Sequence, residues 1–131
     1  EDVVLVGFGS HRGSVIAADA WGAPMESMPV PEARAGSWED LMHRAFGGDD
    51  QLSIFGSEKE SPLRERRGHR AIGVVYHPEH ESGNYVPTDL AARYDAFLYV
   101  DETHALHPLP MSGRGKHGDF EDPPETYPSG L

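Results

Sequence analysis

The sequence contains no cysteine. That excludes disulfides, thiolate nucleophiles and cysteine-ligated zinc, and it fits a reducing cytoplasm, the expected compartment. Basic side chains are scarce: 11 Lys and Arg stand against 22 Asp and Glu, giving a net charge of −11 over 131 residues with His neutral. Phosphate affinity comes from cationic groups displacing counterions, so no nucleic-acid partner is expected. The same balance disfavours an anionic membrane surface. No apolar run approaches the ~20 residues that cross a bilayer, and the opening residues lack the basic, apolar and small-residue series of a signal peptide. Internal repeats are absent too.

Turns, by contrast, are abundant, with 15 glycines and 11 prolines. Val3 to Phe8 is a short apolar run between polar and glycine-rich residues, which reads as a strand buried on both faces. Gly9 to Gly13 interrupts it, and Ser14 to Ala18 resumes an extended pattern. Pro24, Pro29 and Pro31 keep helix out of residues 19–36. The clearest signal is a short amphipathic helix from Ser37 to Gly47. Ser37 is the N-cap, Trp38, Leu41, Met42, Ala45 and Phe46 form one apolar stripe, and Gly47 is the left-handed stop.

Leu52 to Phe55 reads as a short strand, and the charged residues 56–70 as a loop. Ala71 to Tyr76 predicts a second buried strand, ended by His77-Pro78. Thr88 caps a helical turn through Arg93, and Ala96 to Val100 gives a third strand. The fold class is therefore α/β, a mixed sheet with few flanking helices. Fully apolar strands need cover on both faces, and so few helices cannot supply it. The chain, which runs from its first residues straight into a buried-type strand, is expected to be part of a larger domain.

Gly7-Phe8-Gly9-Ser10-His11-Arg12-Gly13 has one residue too many between its glycines for a dinucleotide fingerprint, and the β-branched, soon Pro-rich segment after Gly13 is no helix. The plainer reading is a bend that lets backbone approach closely. His11 and Arg12, polar at the end of an apolar strand, are candidates for lining a site. Two H-x-x-H pairs, His77/His80 and His104/His107, suggest zinc by composition, but Pro78 prevents a regular helix through the first pair. Exposed loop histidines are the better account, and no metal or cofactor is expected. No G-x-S-x-G elbow occurs. Asp101 and Glu102, with no visible partner, read as surface or capping groups sooner than as a general base. The cluster Arg64, Arg66, Arg67, His69 and Arg70 reads as solvated surface.

Three segments together carry a resemblance: residues 4–15, residues 70–79, and residues 84–103 from Asn84-Tyr85 to Asp101-Glu102-Thr103. In this order and spacing they resemble the C-terminal part of the erythromycin esterase-like family. The resemblance covers about residues 3–109. It divides the chain into that part, residues 1–109, and a disordered Pro- and Gly-rich tail, residues 110–131.

The resemblance implies metal-independent hydrolysis of an ester or lactone, with a histidine activating water and no acyl-enzyme. The family's early Glu and His, and its later His-Asn-x-His segment, have no counterpart here, since no His-Asn pair occurs. Catalytic residues are therefore unknown. The partners implied are a small-molecule ester or lactone substrate in the full-length enzyme and the missing N-terminal region of the same protein. By position, His11, Arg12, Asn84 and Tyr85 are the candidates for walling the substrate cleft. The alternatives from other classes are a small acidic binding module without catalytic activity and a histidine-based metal-binding domain.

Overall fold

The computed structural model describes residues 2–56 and 64–107. The tail expected at residues 110–131, and residues 57–63 of the charged segment, lie outside the described residues. A four-stranded mixed sheet forms the centre, in the order β2 (Glu26–Val30), β1 (Val6–Ala17), β6 (Ala96–Thr103), β3 (Gln51–Ile54). The β1–β6 pair is parallel, and β2 and β3 pair antiparallel with β1 and β6. A second, two-stranded sheet joins β4 (Arg66–Arg70) to β5 (Tyr85–Asp89). Helices α1 (Trp38–Phe46) and α2 (Leu90–Arg93) and a 3₁₀ segment, Pro78–Asn84, complete the α/β arrangement.

Helix α1 starts and stops where the sequence places it. Ser37 Oγ accepts from Asp40 N at 3.2 Å, and Gly47 adopts φ 64°. The apolar stripe buries Trp38 and Met42 against Phe97, Tyr99 and Leu90. Each such side chain contributes about 1.5–3 kcal/mol on burial. The indole N–H of Trp38 donates to the Thr88 carbonyl at 2.7 Å, so the burial leaves no polar group stranded. A smaller cluster of Ala17, Met28, Val30 and Tyr76 closes the opposite end of β1.

Strand β1 runs unbroken through the glycine segment, where an interruption was expected. The glycines serve packing instead. A Cβ at Gly9 would come within 2.6 Å of Phe97 Cζ, and one at Gly7 within 2.7 Å of Tyr94 Cε2. Gly13 is paired on both sides, with Val30 in β2 and Thr103 in β6. At φ 133°, a side chain there would collide with the Thr103 backbone.

The apolar run at the start of the chain is not buried on both faces. Val3 to Leu5 precede the strand and are exposed. One face of the sheet lies under α1. On the other, cross-strand rows run Phe8–Leu98–Leu52 and Val6–Ala96–Ile54. Phe8 is 65% and Ile54 78% exposed in these rows.

Three further expectations are corrected. Residues 66–70, read as loop, form β4, because partners distant in sequence neutralise their polar groups. Ala71 to Tyr76 is not a strand. It makes a single bridge, Ala18 to Val75, and Val74 is exposed. The cap of α2 is Asp89, whose carboxylate accepts from Ala92 N at 3.1 Å, while Thr88 is buried in β5. Within residues 19–36, where no helix was expected, β2 forms an edge strand that tolerates Pro29.

Candidate functional site

Alternation along β6 sends Phe97, Tyr99 and Asp101 to the face under α1. In β1 the same face carries Gly7, Gly9 and then His11, level with Asp101 between the registered pairs Ser10–Val100 and Arg12–Glu102. In α1, Glu39 and His43 lie one turn apart beside the apolar stripe. These placements bring together His11, His43, Tyr99 and Asp101, at the middle of β1 and near the C-terminal end of β6.

His43 Nδ1 lies 2.7 Å from Asp101 Oδ1, which also accepts from the Tyr99 hydroxyl at 2.5 Å. The Asp101 backbone N–H donates to Asp50 Oδ1 at 2.8 Å and so fixes the strand end to the turn after α1. Burial pushes the Asp101 carboxyl up, but hydrogen bonds from Tyr99 and His43 outweigh it and hold the group below the ordinary carboxylate value. Tyr99 is pushed up by burial and by its bond to this carboxylate. Asp101 is thus ionised and Tyr99 protonated near neutrality. An ionised acceptor requires the proton of neutral His43 on Nδ1, which leaves the lone pair on Nε2. The His43 side chain is 37% exposed.

His11 stacks on His43 with ring centroids 3.7 Å apart and planes 7° from parallel. It is buried, and its Nδ1 has no hydrogen-bond partner among the described residues. Burial lowers its pKa below the ordinary 6.5, and the neighbouring His43 lowers it further.

A second polar cluster lies behind the first. Glu39 is fully buried, and its Oε1 meets His69 Nδ1 at 2.5 Å and Arg70 N at 3.0 Å. The buried Arg70 guanidinium donates to the carbonyls of Ser10 (3.0 Å), His11 (3.1 Å) and Pro31 (2.8 Å) and to the Tyr85 hydroxyl (3.1 Å). It also pairs with Glu81, which accepts from Tyr76. Arg70 therefore holds the backbone on which His11 sits.

The residues expected to wall a cleft are not gathered on one surface. His11 turns inward beneath His43. Arg12 is exposed beside Glu102 and Glu32, at 3.5 and 3.8 Å. Tyr85 is buried as an acceptor for Arg34 N and Arg70, and Asn84 contributes its carbonyl to Ala71 N at 2.7 Å. Asp101 is buried rather than a surface cap, as are His69 and Arg70 of the supposed solvated cluster. His43 and Glu39 escaped the sequence reading. Their only signal is the i, i+4 spacing of an acid and a histidine flanking a core stripe. His77 and His80 lie with ring centroids 6.2 Å apart, and His80, His104 and His107 are exposed. Among the described residues no three His, Asp or Glu side chains are gathered to hold a metal ion.

A groove of about 430 Å³ opens on the face of β6 that carries Leu98 and Val100, lined also by Phe8, Ile72, Val86 and Arg93. Among the described residues no helix is long and apolar enough to cross a membrane.

The structure defines an α/β protein with a mixed sheet, a polar His–Asp cluster between α1 and strands β1 and β6, and a largely apolar groove beside Leu98 and Val100. The family model described as erythromycin esterase matches residues 1–103, and the chain belongs to that family. No solved structure matches it.

Proposed function

We propose that the chain is the C-terminal part of a cytoplasmic, metal-independent hydrolase of a small ester or lactone, a macrolide being one candidate. Membership of the erythromycin esterase family over residues 1–103 carries this reading. Two features of the molecule support it. The groove beside Leu98 and Val100 is largely apolar, with Arg93, Arg70, His69 and Thr103 also in its lining, which suits a ligand with an apolar body and polar substituents. The rows Phe8–Leu98–Leu52 and Val6–Ala96–Ile54 leave a wide apolar face open, and the N-terminal region of the same protein is its proposed cover.

In this reading the water-activating base stands upstream, and the chain alone does not turn over alkyl esters or lactones. Losing a general base forfeits roughly 10²–10⁴-fold of rate. The test is hydrolysis of macrolide lactones and simple alkyl esters by the full-length enzyme, with and without a chelator, beside the 131-residue chain. Chelator-resistant hydrolysis by the longer protein alone supports the proposal. Hydrolysis by neither protein removes it and leaves a non-catalytic binding module.

A further inference from the structure

We infer that His43, held by Asp101 and backed by His11, is a nucleophilic imidazole that accepts acyl groups from small esters with acidic leaving groups. This stands apart from the hydrolase reading, because every group it needs lies within the chain.

Three observations carry it. Asp101 accepts a hydrogen bond from His43 Nδ1 at 2.7 Å and fixes the ring, so the reactive lone pair is on Nε2. Asp101 is fixed in turn by the Tyr99 hydroxyl at 2.5 Å and by its own N–H to Asp50 at 2.8 Å. The side chain of His43 is 37% exposed while that of Asp101 is 13% exposed, so a small ester reaches the imidazole and water scarcely reaches the carboxylate. His11 covers one ring face at 3.7 Å, and the Arg70 guanidinium secures its carbonyl at 3.1 Å. His43 combines an oriented carboxylate partner with a partly exposed side chain, whereas His69, held by Glu39, is buried.

The chemistry balances without a further reagent. Nε2 attacks the acyl carbon, the carbon–oxygen bond breaks, and the phenolate leaves with the electron pair. The acyl-imidazolium keeps Nδ1–H against Asp101, whose negative charge stabilises it. Water then adds to the acyl carbon, the carbon–nitrogen bond breaks, the carboxylic acid departs with neutral His43 restored, and the second proton of the water passes through solvent to the phenolate released in the first step. Ester and water become acid and phenol.

The experiment treats the 131-residue chain with p-nitrophenyl acetate, follows phenolate release and maps the acetylated histidine by mass spectrometry. Folding of each variant is checked by near-UV circular dichroism. Acetylation is expected at His43 ahead of His80, although the His80 side chain is 81% exposed. Asp101→Asn should slow release about tenfold, because the hydrogen bond from Nδ1 then ends on a neutral amide oxygen and no longer on a carboxylate. His43→Gln should bring release to the level of the denatured chain, and His80→Gln should leave it unchanged. Labelling that follows exposure, with His80 first, overturns the inference. So does a His43→Gln protein that keeps its rate while folded.

Discussion

Replacing Arg70 with leucine removes one buried guanidinium and keeps most of the side chain's bulk. The change leaves Glu81, only 12% exposed in its side chain, without its ion-pair partner. It also strips donors from the carbonyls of Ser10, His11 and Pro31 and from the Tyr85 hydroxyl. Breaking a buried pair by removing one partner costs about 3–5 kcal/mol. Each orphaned carbonyl adds up to about 1–3 kcal/mol, though water entering the gap keeps the sum from being additive. Even the lower figure is a large part of the ~5–15 kcal/mol that holds a domain folded.

The assay is urea unfolding followed by tryptophan emission. Trp38 is fully buried and Trp21 is 83% exposed, so the spectral shift reports Trp38. The midpoint should fall by the equivalent of at least about 3 kcal/mol at unchanged slope. Arg70→Leu combined with Glu81→Leu should recover part of the loss, since no charge is then left unpaired. An Arg70→Leu midpoint within about 1 kcal/mol of the parent, the scatter of ordinary substitutions, would refute the reasoning.

Gly13→Ala should be severe, at or above about 3 kcal/mol, because positive φ and a backbone collision with Thr103 act together. Gly36→Ala, at φ 82° with open space around it, should cost only about 1–2 kcal/mol, and comparing the two melting temperatures checks the difference. Trp38→Phe, which removes the fluorescent reporter, should lose about 1–3 kcal/mol in urea followed by far-UV circular dichroism, by orphaning the buried Thr88 carbonyl. The lowered pKa of His11 makes the unfolded chain bind more protons than the folded one. The stability it contributes is therefore present above its ordinary 6.5 and lost as pH falls below that towards the folded value. Because His43, Asp101, Glu32 and Arg12 also act on His11, the check is the parent's urea midpoint against pH beside that of His11→Asn. The variant should show the shallower decline, and identical slopes would count against the lowered pKa.

How much was legible depends on where each element's partners lie. Helix α1 carries its instructions within eleven residues: the cap Ser37, the stripe from Trp38 to Phe46 and the stop at Gly47. Strand β6 was legible because its apolar core is continuous, although its polar end, Asp101 to Thr103, was not seen to belong to it. Strand β4 was hidden by its charges, since the acceptors that make His69 and Arg70 buriable are Glu39, Glu81 and the carbonyls of β1. Residues 71–76 misled in the opposite sense. Their composition suits a strand, but they meet only Ala18 in a bridge.

The same division runs through the site. By itself the sequence determined the lack of thiol chemistry, the acidic surface, the family and the capped helix, because composition, motif order and local periodicity need no knowledge of contacts. Only the tertiary structure decided that Asp101 is buried, that His43 meets it across a separation of 58 residues, and that His11 stacks on His43 while Arg12 does not. An isolated Asp at a strand end is solvated and reads as surface. It becomes a site group when a helix and a neighbouring strand exclude the water and supply the donors, and that depends on packing between segments far apart in the chain.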